Sequence, residues 1–348
     1  MRFIIKLLSV LILLSQESYS QIKIINSNTK EPVPFTEIYE ESGRFLGFAD
    51  EYGVITVQIL EKVQKENMAN IRLSHLGYKR TVVSRERLTE QKTIELEEEP
   101  TILQEITIKP SKTKPYYLIR GYHRSYNVID GKLTAFTDGW IEFLYPTQAQ
   151  KRVLLRRLDE RFIEEKKELS SGILIIGPNI PTVNIPNEKY YVGYTYKDAF
   201  MRPYQAKLNS KSNSIIQEYS YISPDKPIIN KLMGNETKIH NHHETVVFNC
   251  NNIEQASLSN MIYNKAIRRL EMKRKEREKP FWVDEVSEFF VFDFEELEEE
   301  PKGFGKFTGF NRGAIPKSKF WEKAANHPLF MSLPKEIEAE LRKIITEN

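Results

Sequence analysis

Hydrophobic and polar positions in residues 21–110 alternate in short runs that are separated by turn-forming residues. Pro32 and Pro34 fix the backbone at the entry to one run, and Asp50 with Gly53 forms a turn before another. Period-two alternation between such turns is typical of half-buried strands. The predicted strands are 22–25, 34–39, 45–48, 54–59, 71–74, 80–83, 93–96 and 102–108. Their number and spacing predict a β-sandwich.

The pattern changes after a polar, basic linker at 111–115, and a larger region follows at 116–348. Asp130–Gly131 separates two aromatic and β-branched runs, 116–125 and 133–145, which is a strong signal for a β-hairpin. Residues 147–169 fit either a helix or a strand. Further strands are predicted at 173–176, 190–196, 214–222, 245–248 and 289–294. Long polar strands with tyrosines predict an antiparallel sheet with one solvated face.

Two segments of this second region carry helical spacing. Leu258, Ile262, Ala266 and Leu270 recur at i+4, which predicts a helix near 253–279. A second helix is predicted near 334–347, with Pro334 in its first turn. The region therefore reads as β-rich with a few helices.

Residues 1–20 have the pattern of a secretory signal peptide. Arg2 and Lys6 precede the apolar run 7–14, and Ser18 and Ser20 occupy the small-residue positions before an expected cleavage site. No later apolar run is long enough to predict a transmembrane helix in the mature chain. We expect an exported protein, in the periplasm or associated with the outer membrane of a Gram-negative bacterium.

Several motifs in residues 21–110 match one known family. They are the Pro-Val-Pro entry at 32–34, the Asp-Glu-Tyr-Gly turn at 50–53, Ser-His-Leu-Gly-Tyr at 74–78 and Leu-Gln-Glu-Ile-Thr-Ile at 103–108. This segment resembles the carboxypeptidase regulatory-like domain, a transthyretin-like β-sandwich of exported Bacteroidetes proteins. Residues 116–145 are similar to an uncharacterised domain that often follows it. The resemblance implies a mainly β fold, a transthyretin-like β-sandwich and then a larger antiparallel β-rich domain of unknown function.

Composition and charge narrow the classes of function. Lys plus Arg number 51 and Asp plus Glu number 48, so the formal charge of +3 gives no field that would attract nucleic acid. The basic segment 265–279 holds eight Lys or Arg, but nine acidic residues follow at 284–300. We interpret the two as mutually offsetting surface charge. The one cysteine, Cys250, excludes an internal disulfide and a Cys-based zinc site.

Candidate chemistry is confined to one histidine cluster. No His in the chain has a Glu three residues later, and no His-Glu-x-x-His motif occurs, so the zinc carboxypeptidase motif is absent. On a strand, His240, His242 and Glu244 would share a face and form candidate metal ligands.

Two functions therefore stay open. The favoured hypothesis is a non-catalytic cell-envelope protein, with no cofactor, that binds an envelope protein or an extracellular ligand. The alternative is a metal-dependent hydrolase that acts on a peptide or a glycan, with the His240–Glu244 cluster as its metal site. A membrane-embedded role is a third hypothesis, disfavoured because outward apolar alternation is missing.

Overall fold

The computed structural model describes residues 21–50, 52–99, 114–147, 153–164, 205–211, 214–222, 228–232, 235–250, 252–274, 279–304, 319–333 and 335–347. The predicted signal peptide, most of the linker and the strands predicted at 102–108, 173–176 and 190–196 lie outside these residues. The chain divides into two compact units, 1–41 with 45–100 and 42–44 with 101–348.

The first unit contains seven described strands and two short helices. Its elements are β1 (Ile22–Asn26), β2 (Glu37–Glu40), β3 (Phe45–Phe48), β4 (Val54–Ile55), α1 (Val57–Lys65), β5 (Asn70–Ser74), β6 (Thr81–Ser84), α2 (Arg85–Glu90) and β7 (Thr93–Leu96). They form a three-stranded sheet, β4-β1-β7, and a four-stranded sheet, β3-β2-β5-β6. One apolar cluster contains Ile24 and Ile94 from the first sheet and Ile38 and Leu73 from the second. The two sheets therefore share a core.

One predicted strand of this unit is wrong over most of its length. The alternation at 54–59 continues as a strand only to Ile55, and α1 follows. Ile59, Leu60 and Val63 are buried at helical spacing and contribute to the shared core. Six residues of alternation were too few to exclude a helix, because both periods place apolar residues at some of the same positions.

The second unit is built on one large antiparallel sheet. Its elements are β8 (Tyr116–Ile129), β9 (Lys132–Pro146), β10 (Leu154–Glu164), β11 (Gln205–Lys211), β12 (Ser214–Ile222), β13 (Ile228–Leu232), β14 (Asn235–Phe248), β15 (Met261–Lys273), β16 (Phe281–Leu297) and α3 (Lys335–Glu347). The strand order is β10-β9-β8-β16-β15-β14-β12-β11, with β13 paired to β14. With the small sheets of the first unit, this confirms the mainly β fold with few helices.

The local predictions for this unit divide into correct and wrong ones. The β8–β9 hairpin turns at Asp130 and Gly131, whose φ values of 48° and 90° are those of a tight turn that favours an Asp-Gly pair. The ambiguous segment contains a strand, β10, and the helix predicted near 334–347 is present as α3. None of the helices among the described residues is long and apolar enough to cross a membrane.

The helix predicted near 253–279 is wrong. Short 3-10 turns occupy Ile253–Gln255 and Leu258–Asn260, and strand β15 follows. A spacing of four is also an even number, so Ile262, Ala266 and Leu270 share one face of a strand as well as one stripe of a helix. The positions between them, such as Tyr263 and Ile267, are buried too, because both faces of β15 are covered.

The large sheet is strongly curved. Tyr145 on β9 and Glu244 on β14 are separated by four strand steps, about 19 Å or more in a flat sheet. Burial and the nearby Glu244 carboxylate nevertheless both raise the pKa of Tyr145. One apolar cluster likewise contains Phe143 of β9 and Val246 of β14. These residues lie on the same side of the sheet, which is therefore its concave side.

Candidate ligand site on the large sheet

Strand alternation gives the large sheet two faces with different chemistry. We call the side that carries His123 the inner face, which is the concave one, and the side that carries Arg124 the outer face. The register fixes the neighbours: His123 lies opposite Gly139 and Phe289, and Arg124 lies opposite Asp138 and Glu288. Because side chains alternate along each strand, the same division applies across the sheet.

Charged side chains of the outer face form two hydrogen-bonded groups, one around Glu288 and one around Asp138. Arg124 donates to Glu288, and the Tyr263 hydroxyl donates to the other carboxylate oxygen of Glu288 at 2.7 Å. Burial alone would raise the pKa of Glu288, but the Arg124 charge and hydrogen bonds lower it to about 2. In the same way, Asp138 accepts from Tyr122 at 2.6 Å and from Arg161 at 2.9 Å. These groups have their partners within the fold.

A C-terminal segment, 319–333, covers both groups. The Phe330 ring lies 5.3 Å from the ring of Phe290, and the Arg124 guanidinium lies 4.9 Å from the centre of the Phe330 ring. The indole of Trp140 donates a hydrogen bond to the Phe320 carbonyl at 3.2 Å. The outer face near Arg124 is thus a buried part of the core. It is a poor candidate for a binding site because its polar groups are already bonded to one another.

The inner face has an apolar cluster at each end. At the end near Tyr116 lie Ile119, Ile141, Phe143, Phe248 and Phe289. At the end near the β8–β9 hairpin lie Ile129, Ile239, Leu270, Phe281 and Val283. Both clusters consist of core residues that are nearly inaccessible to solvent.

Between these clusters, polar side chains cross the inner face in a belt that we call the polar band. Its members come from β8, β9, β14, β15 and β16. They are His123, Ser125, Asn127, Thr137, His242, Glu244, Asn264, Arg268, Glu285 and Ser287. All of them are buried except His242 and Arg268, which are partly exposed. Buried polar groups are normally hydrogen-bonded, so each member needs a partner.

Three members of the band stand apart, and we call His123, Asn127 and Thr137 the polar trio. Their exposed fractions are 0%, 1% and 0%. The two ring nitrogens of His123, the amide nitrogen and oxygen of the Asn127 side chain and the Thr137 hydroxyl have no hydrogen-bond partner in the described part of the chain. Each such group costs about 1–3 kcal/mol when it stays unbonded. The trio therefore leaves five buried hydrogen-bonding atoms that a bound molecule or ordered water would satisfy.

The His123 ring, the one titratable group of the trio, is uncharged. Burial and the nearby positive charge of Arg157 lower the pKa of His123 to about 3, so its ring is neutral at physiological pH. The neutral ring, the amide and the hydroxyl together offer both donors and acceptors.

The candidate metal ligands are separated by the structure. A register shift between Ile239 and Asn241 turns His240 to the outer face, where its ring lies 3.2 Å from Glu271 and 4.7 Å from the Trp282 ring centre. His242 stays on the inner face, with its Nε2 3.0 Å from Glu244. Among the described residues there is no group of three or more metal-ligating side chains. The expectation that all three residues share one face is therefore wrong.

Cys250 is half-buried against the apolar cluster that contains Phe248, and burial raises the pKa of its thiol. A thiol with a raised pKa is a weaker nucleophile at neutral pH. Both observations favour a packing role for Cys250 over a nucleophilic one.

Sequence reasoning missed the polar trio. His123, Ser125 and Asn127 recur at every second position of β8, which is the pattern of one strand face. The alternate positions are also polar or aromatic, so this pattern alone did not mark an inner face. The lack of hydrogen-bond partners for these three side chains can be recognised only once the register of the strands is known.

Comparison with known proteins adds little to this site. No family model matches the chain, and no curated protein matches it. One similar solved structure, described as lipid–protein interactions in lipovitellin, has 7% sequence identity and a TM-score of 0.30. The match covers 60% of this chain and 28% of that one. A TM-score this low supports neither a shared fold nor a shared ligand.

Proposed function

We propose that the protein is an exported, non-catalytic cell-envelope protein that binds a ligand on the inner face of its large sheet. The observation that carries this proposal is the polar trio, three buried side chains whose hydrogen-bonding atoms lack partners in the described part of the chain. A molecule bound against the polar band would supply the missing bonds and offset the cost of burying these groups.

The predicted signal peptide and the resemblance of residues 21–110 to the carboxypeptidase regulatory-like domain support the envelope part of the proposal. In that resemblance the first unit is an accessory domain, which leaves the second unit to carry the binding surface. The competing explanation for the trio is ordered water, which also satisfies buried polar groups.

A matched pair of variants on β9 tests the proposal. Thr137 and Thr134 are both fully buried, but the Thr134 hydroxyl donates to the Asn127 carbonyl at 3.3 Å, whereas the Thr137 hydroxyl belongs to the polar trio. In the ligand-free protein, we expect Thr134→Val to lower the free energy of unfolding by about 1 kcal/mol. We expect Thr137→Val to leave it unchanged or to raise it, because valine has nearly the same shape and needs no partner. Urea titrations of both variants measure these values.

We expect the two variants to rank in the opposite order for ligand binding, with Thr137→Val the more affected. The mature chain purified from its own cell envelope is analysed by native mass spectrometry for a non-covalent ligand. We expect the wild type and Thr134→Val to retain the ligand, and Thr137→Val to bind it about threefold to tenfold more weakly. Protein of unaltered mass in every sample would mean that water fills the band, and the proposal would be wrong.

A further inference from the structure

We infer that segment 319–333 is a pH-sensitive cover, which acid releases from the outer face of the large sheet through protonation of His327. The release is a local change, in which the segment leaves the sheet while the strands stay paired. Because the segment lies on the outer face, its release is independent of the ligand proposed for the inner face.

The His327 ring joins the segment to the sheet in its neutral form. The ring is buried, and its centre lies 5.4 Å from the ring centre of Phe290 and 5.2 Å from that of Phe292. Its Nδ1 accepts a hydrogen bond from the Leu329 backbone N–H at 3.2 Å. In a neutral imidazole one nitrogen accepts and the other carries the proton, so this bond assigns the proton to Nε2.

Protonation of this ring disrupts the closed arrangement. A charged imidazole carries a hydrogen on both nitrogens, so Nδ1 no longer accepts from Leu329 and two N–H groups point at each other. Burial lowers the pKa of His327 to about 4, although hydrogen bonds to the backbone of Val291 and Ile262 raise it. A solvated histidine has a pKa of about 6.5. The open arrangement therefore binds the proton more tightly, and acid favours opening.

Side-chain contacts hold the segment to the sheet. The Arg161 guanidinium lies 3.9 Å from the ring centre of Trp321, and the Arg124 guanidinium lies 4.9 Å from that of Phe330. The segment itself contains a short 3-10 helix, Phe320–Asn326, whereas β8 and β16 beneath it pair with each other along their length. Elements with few backbone bonds to the rest of a fold open at a lower free energy than paired strands do. The segment can therefore open while the sheet stays folded.

Charged or titratable groups of the sheet lie beneath the segment. They are Tyr122 and Arg124 of β8, Asp138 of β9, Arg161 of β10, Tyr263 of β15 and Glu288 of β16. The segment's own charged residues, Lys319, Glu322 and Lys323, are exposed.

Two carboxylates beneath the segment modify the acid response. Burial raises the pKa of Asp138, so its protonation favours the closed arrangement and opposes the effect of His327. Burial would raise the pKa of Glu288 as well, but Arg124 and hydrogen bonds hold it at about 2, so Glu288 stays charged at pH 4. Arginine and tyrosine side chains keep their protonation state between pH 7 and pH 4. His327 is therefore the group beneath the segment whose protonation favours opening in this range.

Hydrogen exchange of the full mature chain measures this opening. Amide protection, corrected for the intrinsic exchange rate at each pH, is compared at pH 7 and pH 4 in peptides from 319–333 and from β8 and β16. The titration of His327 alone predicts a loss of protection of about 100-fold in the segment. Asp138 reduces this effect, so we expect at least a roughly tenfold loss. We also expect the segment to be less protected than the two strands at both pH values, because it opens locally.

Two histidine variants separate the segment from the rest of the unit. An asparagine side chain accepts a hydrogen bond from the backbone N–H two residues on and does not titrate, so we expect His327→Asn to keep the segment protected at pH 4. His123 is also buried but lies on the inner face. We expect His123→Leu to reduce the acid loss of protection in the strands and to leave the loss in the segment as in the wild type.

Three results would overturn the inference. They are equal protection of the segment and the strands at both pH values, an acid loss in the segment that persists in His327→Asn, and an acid loss in the segment that His123→Leu removes. If His327→Asn lacks protection of the segment at pH 7 as well, the wild-type protein decides alone. A loss of protection in its segment of less than roughly threefold between pH 7 and pH 4 then overturns the inference.

Discussion

Replacing Glu288 with glutamine will lower the free energy of unfolding by about 3–5 kcal/mol. Glu288 is 4% exposed and accepts hydrogen bonds from Arg124 and Tyr263. The substitution leaves the Arg124 guanidinium, which is 5% exposed, as a buried charge without its counter-ion. The Arg124 guanidinium cannot turn out into solvent because the segment 319–333 covers it. Chemical denaturation at neutral pH measures the loss.

Glu295→Gln is the matched control on the same strand. Glu295 also pairs with an arginine, Arg120 at 2.8 Å, but its side chain is 47% exposed. Water screens an exposed pair, so we expect this variant to lose less than about 1 kcal/mol. Equal losses in the two variants would contradict the view that the outer face is a sealed part of the core.

The sequence was most informative where local chemistry alone determines structure. Asp130 and Gly131 adopt positive φ at a tight turn, and few other residue pairs do so at low cost, so the β8–β9 hairpin was predictable. The strand β15 was not, because its residues at i+4 spacing satisfy a helix and a strand alike. The formation of β15 depends on its pairing with β14 on one side and β16 on the other. These contacts are long-range, and no pattern within 253–279 contains them.

The candidate site was less predictable than the fold. The sequence indicated that His240, His242 and Glu244 would share a face. This prediction was wrong because of one register shift in β14, for which the sequence contains no signal. The polar trio was invisible for a related reason. A histidine, an asparagine and a threonine are ordinary residues on a solvated strand. They become candidate site residues only when the curvature of the sheet buries all three.

Acid titration should reveal the burial of His123. We expect the stability of the wild type to fall as the pH decreases from 6 to 4, and His123→Leu to lose about 2–3 kcal/mol less over this interval. The pKa of His123 is about 3 in the folded protein, because burial and Arg157 disfavour the charged ring. In the unfolded chain the ring has an ordinary pKa of about 6.5 and takes up a proton. Below that value the unfolded state binds the extra proton, so acid favours unfolding.

The slope of stability against pH also separates His123 from His327, another buried histidine. Burial also lowers the pKa of His327, to about 4, so the wild type should show the effect of both rings. Without the His123 ring, the unfolded chain takes up one proton fewer. The slope of stability against pH therefore falls by about 1.4 kcal/mol per pH unit in the steepest range, and the contribution of His327 remains. At neutral pH His123→Leu should be at least as stable as the wild type, because leucine needs no hydrogen-bond partner. Parallel pH profiles for the two proteins would mean that the His123 ring reaches water or a bound proton acceptor in the absence of ligand, and the polar band would then be open to solvent.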